Sequence, residues 1–382
     1  MNYVIREVII NDVSTNSGGW GKHVKINTQA SASSVYQGTL SNGSIVFIIT
    51  TTSDQGMVRS DANTLDYYSG NFSWLQRADT TSSYNTVTNA SGGYFFGTSN
   101  YTASTSTKLF YRTTFSGTPI AWESHPFTDT NSHPTLLCKI GSYFFIVGVV
   151  AKPRASFGYD YNTIAGYSSS LGSPFNSMYN PRYESSSPQA CAMYLAGKNM
   201  LCCGLLRDFN DVNSGAYFYT TGSTTPTFFD STSSLSPYIQ IMKQYWHNFY
   251  IINNRLAVNN KLYDVSNVLK PTEVLTFDPS TLGGYTGTLF NSSKVCPIGA
   301  NKALGVFSTY TGSSGSYTCN LYWTFYDGTS WDTPKILKKD IYSPTYGTHP
   351  AFLISTTNGA VCLCYYNDYG SYLVSTDKFK TN

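Results

Sequence analysis

The chain has 382 residues, of which only 12% are charged, and its 24 Lys and Arg against 21 Asp and Glu leave a net charge of +3. Soluble proteins average about 25% charge, so a cytoplasmic enzyme surface is a poor match. The absence of any Lys/Arg cluster able to track a phosphate backbone argues against nucleic acid. No apolar run is long enough to span a bilayer as a helix, and no basic-then-apolar leader opens the chain, so neither membrane insertion nor a recognisable export signal is expected.

Along the chain an aromatic residue closes a similar phrase seven times, at Trp20, Trp74, Trp122, Phe175, Phe228, Phe277 and Trp331, always 48 to 54 residues after the one before. A fixed period of this size marks a repeat architecture. The first phrase, 18–26, reads as an outer strand with no inner strands before it, and 1–10 read as one further strand. Inner phrases of apolar strand, small-residue turn and apolar strand then follow at 43–48, 92–96, 136–147, 197–202, 247–252, 301–307 and 358–363. Each is succeeded by a polar loop and a strand-turn-strand phrase ending in the aromatic, as in 108–122. Two hairpins per unit make four strands.

The units fall at 31–80, 81–128, 129–178, 186–232, 236–280, 292–338 and 347–382. The last has room after its inner pair only for 371–375, so it lacks an outer strand, and the phrase at 18–26 parallels 329–337 closely enough to supply it. Paired sandwiches or a β-helix would show no common period or a much shorter one. The expected fold is therefore all-β, a seven-bladed β-propeller of four-stranded blades filling 1–382 as one domain. Residues 1–27 complete its last blade so that no ring edge stays open.

The eight cysteines, Cys138, Cys191, Cys202, Cys203, Cys296, Cys319, Cys362 and Cys364, mostly fall inside apolar inner strands. No C-x-x-C pair occurs, so buried thiols formed in a reducing cytosol are expected, with no metal site and no cofactor. The phrase 324–331 (Thr-Phe-Tyr-Asp-Gly-Thr-Ser-Trp) resembles a degenerate Asp-box, the blade turn of sialidases and related propellers, in which the box holds a hairpin and a core tryptophan far from the chemistry.

Sialidase-type hydrolysis would need an arginine triad, a tyrosine nucleophile with a glutamate neighbour, and an acid. The chain has four Glu (Glu7, Glu123, Glu184, Glu273), of which Glu123 follows an outer-strand tryptophan and Glu7 lies in the leftover N-terminal strand, both far from a central site. Arg154 and Arg207 sit in loops without a third equivalent, and Asp160 with Asp208 is the best available acid pair. No nucleophile elbow, Walker loop or HExxH occurs. No catalytic residue is assigned, and a glycan-cleaving sialidase-like hydrolase stands as the alternative.

The long loops join second to third strands and one blade to the next. They carry Tyr101, Phe157, Tyr159, Tyr161, Tyr183, Phe209, Tyr310 and Tyr346, which we take as candidate ligand-binding residues, and also Tyr179, Tyr238, Tyr285 and Tyr317. Aromatic planes on loops of a rigid scaffold stack on sugar rings and protein ridges alike. His133-Pro134 and His349-Pro350 precede inner strands, where Pro starts a strand and His hydrogen-bonds locally.

In composition and blade pattern the whole chain resembles the neutral, Ser/Thr/Tyr-rich propellers of tailed-bacteriophage virions, found in tail fibres, tail tips and capsid decorations. That resemblance implies a structural or adhesion protein, assembled in the host cytoplasm and exposed on the particle. It would bind a host-surface glycan or protein, or another virion protein, with oligomerisation in the particle compatible with such a role. A purely structural particle component is the remaining alternative.

Overall fold

The computed structural model describes residues 20–25, 32–43, 45–51, 54–59, 75–76, 86–98, 109–113, 120–129, 132–154, 158–182, 188–207, 215–243, 249–290, 292–299, 301–313, 315–343, 349–356, 359–365 and 372–376. Among these residues the strands form seven antiparallel sheets, six of four strands and one of five. Sheet I runs Ala32–Thr39, Ile45–Thr51, Asp54–Arg59, Leu75–Gln76. Sheet II runs Thr86–Ser91, Tyr94–Thr98, Leu109–Arg112, Ile120–Ala121. Sheet III follows with His133–Ile140, Tyr143–Pro153, Tyr159–Ser168, Asn176–Tyr179, and sheet IV with Gln189–Leu195, Met200–Leu206, Ala216–Thr220, Thr227–Phe229.

Sheet V comprises Phe249–Ile252, Arg255–Val258, Lys261–Asp264 and Thr272–Thr276. In sheet VI, Thr288–Leu289 and Lys294–Pro297 both pair with Ala303–Thr311, followed by Tyr317–Tyr326 and Lys335–Ser343. Sheet VII takes His349–Thr356, Gly359–Tyr365 and Tyr372–Thr376, and its fourth strand is Trp20–Lys25, antiparallel to Tyr372–Thr376 with Lys25 opposite Tyr372. Sheet VI thus spans 288–343, wider than the expected 292–338. The segment opening the expected unit 236–280 is an α-helix, Ser236–Lys243, laid against the first two strands of sheet IV.

Strand identity follows from patterning. The second strand of sheet IV, Met-Leu-Cys-Cys-Gly-Leu-Leu, is buried at every position, the mark of a strand covered on both faces, whereas the outermost strands of sheets II to V hold only exposed and half-buried residues. The first strands carry a bulge in sheets I, II, III and VII, between Ala32/Ser34, Val87/Asn89, Pro134/Leu136 and Pro350/Phe352. In III and VII it falls directly after the His-Pro pair, which accounts for proline near a strand start, where a missing donor is tolerated.

Sheets I to IV lie against one another mainly through their first and second strands, as do VI and VII, sheet V meets sheet VI through its second and third strands, and the first strand of sheet I also touches the first strands of IV and V. Gln37 makes that contact polar: its Nε2 donates to the Ile251 carbonyl at 2.6 Å and its Oε1 accepts from the Ile251 N–H at 2.7 Å. Thr39 and Tyr194 hydroxyls meet at 3.2 Å, and the Ser355 N–H donates to the Tyr250 hydroxyl at 3.2 Å. The middle of the molecule is therefore occupied by inner strands that bond to one another.

The described thiols Cys138, Cys202, Cys203, Cys296 and Cys319 are buried in these strands and Cys191 is half-buried. Burial pushes the Cys191 thiol up to about 12 and the other shifted thiols upward as well. The side chains of Cys362 and Cys364 lie outside the described residues.

Candidate binding site

Two hairpins outgrow the rest. Tyr143–Pro153 with Tyr159–Ser168 has strands of 11 and 10 residues, and Ala303–Thr311 with Tyr317–Tyr326 has 9 and 10, against 4 and 4 for the matching pair in sheet V. Both are second-to-third-strand hairpins, so antiparallel alternation puts their tips at the end of the sheet from which the chain leaves for the next sheet.

In sheet III the register sets the tip's two faces. Ala151 pairs with Tyr161 and Pro153 with Tyr159, which places these four on one face, while Lys152 opposite Asp160 falls on the other. The tip is closed by the Arg154 N–H donating to the Gly158 carbonyl at 3.0 Å, with Gly158 at φ +97, a conformation that side chains resist. Arg154 Nε donates to Asp160 Oδ1 at 2.6 Å in an exposed pair, which contributes little to stability. The Tyr159 and Tyr161 rings, half-buried, lie 6.1 Å apart at 44°. Their face continues inward through Thr163 and Ala165, the latter in the cluster shared with sheet IV.

In sheet VI the Tyr310 ring lies 5.3 Å from Tyr317 at 86° and 4.5 Å from Phe290. Phe307 packs on Phe277 of sheet V, so alternation turns Ser308 and Tyr310 to the opposite face, the side of sheet VII, whose first strand touches this hairpin.

Of the sequence-predicted ligand residues, Tyr159, Tyr161 and Tyr310 are at these tips, on strand ends and not in loops. Tyr101, Phe157, Tyr183, Phe209 and Tyr346 lie outside the described residues, as does Asp208. Arg154 and Asp160 pair with each other, and Arg207 is exposed at the end of the second strand of sheet IV. Three further aromatics expected on connecting loops are packed instead. Tyr238 is a fully buried helix residue whose hydroxyl donates to the Val268 carbonyl at 2.7 Å, Tyr179 sits 5.8 Å from Phe218 and 5.0 Å from Phe228, and Tyr285 packs edge-on to Phe307 at 5.4 Å.

The aromatic column is uneven. Trp122 is fully buried, stacked on Phe175 at 4.8 Å, and donates from Nε1 to the Ser173 carbonyl at 2.9 Å; Phe277 is fully buried against Trp331 at 4.5 Å. Phe228, in contrast, is 52% exposed. The Asp-box-like turn is a structural knot. Asp327 Oδ1 accepts from the N–H groups of Thr329 and Ser330 at 2.7 and 2.9 Å and from the Thr329 hydroxyl at 2.7 Å, and these donors, the Ser330 N–H foremost, hold its carboxyl down at about 2. Gly328 supplies φ +110, and Tyr326 bridges Trp331.

Lys294, at the start of a sheet VI strand, donates to Asn259 Oδ1 at 2.8 Å in the left-handed turn of sheet V. The residue is half-buried but its ammonium end is enclosed, and desolvation lowers its pKa to about 8. Among the described residues no three His, Cys, Asp or Glu side chains gather as metal ligands, and no helix is long and apolar enough to cross a membrane.

No protein-family model matches the chain, and no curated protein matches it. Among solved structures it is similar to a prolyl endopeptidase, at 10% identity and a TM-score of 0.45 over 93% of this chain and 51% of that one, so the chain spans about half the length of that protein. It is also similar to the β-propeller domain of the Trilobed protease from Pyrococcus furiosus, at 10% identity and a TM-score of 0.38 over 92% and 96% of the two chains. A third is a polysaccharide lyase, an ulvan lyase, at 10% identity and a TM-score of 0.41 over 93% and 96%.

Proposed function

We propose that the seven sheets are the blades of one β-propeller, closed by Trp20–Lys25 in the last blade, and that the protein is a non-catalytic attachment module on a bacteriophage particle. Its partner is a host-surface glycan or protein, or another virion protein. The observation that carries the binding reading is the Tyr159–Tyr161 pair on one face of an overlong, turn-locked hairpin. Rings on a rigid hairpin contribute contact area at small entropic cost. The low-charge, hydroxyl- and tyrosine-rich composition supports the particle-surface setting.

Each stacking ring is worth about 0.5 to 1.5 kcal/mol, so Tyr159→Ala with Tyr161→Ala should weaken attachment of the protein to host cells by roughly tenfold or more. Asp160→Asn should leave attachment intact, because the carboxylate lies on the other face. Should the tyrosine variant attach normally while Asp160→Asn abolishes turnover of a host glycan, the hydrolase reading replaces this one. Closure has its own test: deleting residues 1–27 exposes the edge of Tyr372–Thr376 and should lower Tm sharply or cause aggregation, and an unchanged melting curve would overturn it.

A further inference from the structure

Beneath each aromatic tip lies a hydroxyl that the fold leaves without a protein partner. Thr163 Oγ1 and Ser308 Oγ are sealed from solvent and accept or donate no hydrogen bond within the described structure. They lie on different strands of their hairpins, Thr163 on the third strand of sheet III and Ser308 on the second strand of sheet VI. Thr163 is two residues inward from Tyr161 on one strand, so both project to the face that packs on the following sheet, IV. Ser308 is two residues inward from Tyr310, and both project to the side of the following sheet, VII. An aromatic residue two positions outward of a buried, unsatisfied hydroxyl thus occurs in both seams, III/IV and VI/VII, on the only two described hairpins with both strands of nine residues or more.

Leaving a hydroxyl buried and unpaired costs stability, and an apolar residue of the same shape would remove that cost. A ligand that brings its own hydrogen-bonding group recovers it. At the sheet III tip Lys152 and Asp160 lie opposite each other on the face away from Tyr159 and Tyr161, and Asp160 pairs with Arg154, so the ligand side offers ring faces and hydroxyls.

Resting on the attachment reading above, we infer that the seams III/IV and VI/VII are two saccharide subsites. Each takes a neutral pyranoside that stacks on Tyr161 or Tyr310 and gives a ring or hydroxymethyl hydroxyl to Thr163 or Ser308. The aromatic residue lies two positions outward of the hydroxyl on the same face of the strand.

The test titrates the full chain, followed by saturation-transfer NMR, with methyl α-glucoside, methyl α-galactoside, methyl α-mannoside and methyl N-acetyl-β-glucosaminide, with N-acetylneuraminic acid as the anionic comparison. One of the neutral pyranosides is expected to bind, and the anionic sugar no better. Thr163→Val and Ser308→Ala should each weaken their subsite about fivefold, the loss of one hydrogen bond, while Tm stays the same or rises. Unchanged affinity in both variants, or a lower Tm with unchanged affinity, would overturn the inference, as would tighter binding of N-acetylneuraminic acid. If none of these sugars binds although the protein attaches to host cells, the subsites fall and the attachment reading stands; if it does neither, both fall.

Discussion

Buried hydroxyls in sheets III, IV and VI fall into two groups, satisfied and unsatisfied. At the short-turn end, the hydroxyls of Ser168, Thr220 and Thr324 are buried at the close of the third strands of sheets III, IV and VI, and all are satisfied. Ser168 donates within its turn to the Ser170 carbonyl at 2.9 Å, Thr220 to Ser223 at 2.6 Å and Thr324 to Asp332 at 2.6 Å. At the hairpin-tip end, Thr163 and Ser308 are as deeply buried and have no such partner. Ser355, beside the short turn of sheet VII, is also buried and unpaired, and Thr309 near the sheet VI tip donates to the Thr286 carbonyl at 2.6 Å, so the contrast is between Thr163 and Ser308 and the turn hydroxyls of their own sheets, and it marks these two as places where a local rule is broken.

The largest effect expected is at Trp122, which combines full burial, a stacked partner and a satisfied indole N–H. Trp122→Ala should cost about 3 to 5 kcal/mol in denaturant unfolding, and a loss below about 1 kcal/mol would mean that Trp122 is not a stabilising core residue. Next comes the centre. Gln37→Leu strips partners from the buried N–H and carbonyl of Ile251, at about 1 to 3 kcal/mol for each group left unsatisfied, and the cost would show in the same measurement. The contrast itself is tested by matched substitutions: Thr324→Val should lose about 1 to 2 kcal/mol, while Thr163→Val should lose nothing or gain. Equal losses would erase the distinction between the two groups.

Much of the strand layout was legible because two periodicities reinforced each other. The 50-residue aromatic spacing and the inner apolar phrases both depend on burial, which sequence records directly. The outer position of the phrase at 18–26 was readable for the same reason, and the structure pairs Trp20–Lys25 with Tyr372–Thr376. Side-chain direction was harder to read. Tyr238, Tyr179 and Tyr285 looked like displayed loop residues, but the helix at 236–243 and the outer strand of sheet III turn two of them inward, and Tyr285 settles on Phe307.

Tyr159 and Tyr161 were expected in a second-to-third-strand loop and lie instead on the strand Tyr159–Ser168, because a hairpin's overgrowth is invisible until register is fixed. Thr163 and Ser308 carried no sequence signal at all: whether a hydroxyl is paired depends on neighbours brought from other parts of the chain. The hindsight cue is a small hydroxyl residue two positions inward from a tip aromatic.

The smallest expected effect is electrostatic and concerns one of two lysines that each grip a left-handed asparagine of sheet V. Lys198 reaches Asn254 at 2.6 Å in an exposed contact at the turn end, and Lys294 reaches Asn259 at 2.8 Å with its ammonium enclosed. Desolvation lowers the Lys294 pKa from 10.5 to about 8, so between those values the unfolded chain binds more protons than the folded one. Stability contributed at this position therefore rises with pH across that window, and the penalty for burying the charge is fully present below pH 8. Lys294→Met should then stabilise the protein at pH 7, by about 1 kcal/mol once solvent around the half-exposed residue is allowed for, and the gain should fade by pH 10. Buried thiols and tyrosines with raised pKa values pull the other way at high pH, but both chains share them and they cancel in the difference. Unfolding of the Lys294→Met and parent chains at pH 7 and pH 10 checks this, and a pH-independent difference would mean that the Lys294 ammonium is well solvated.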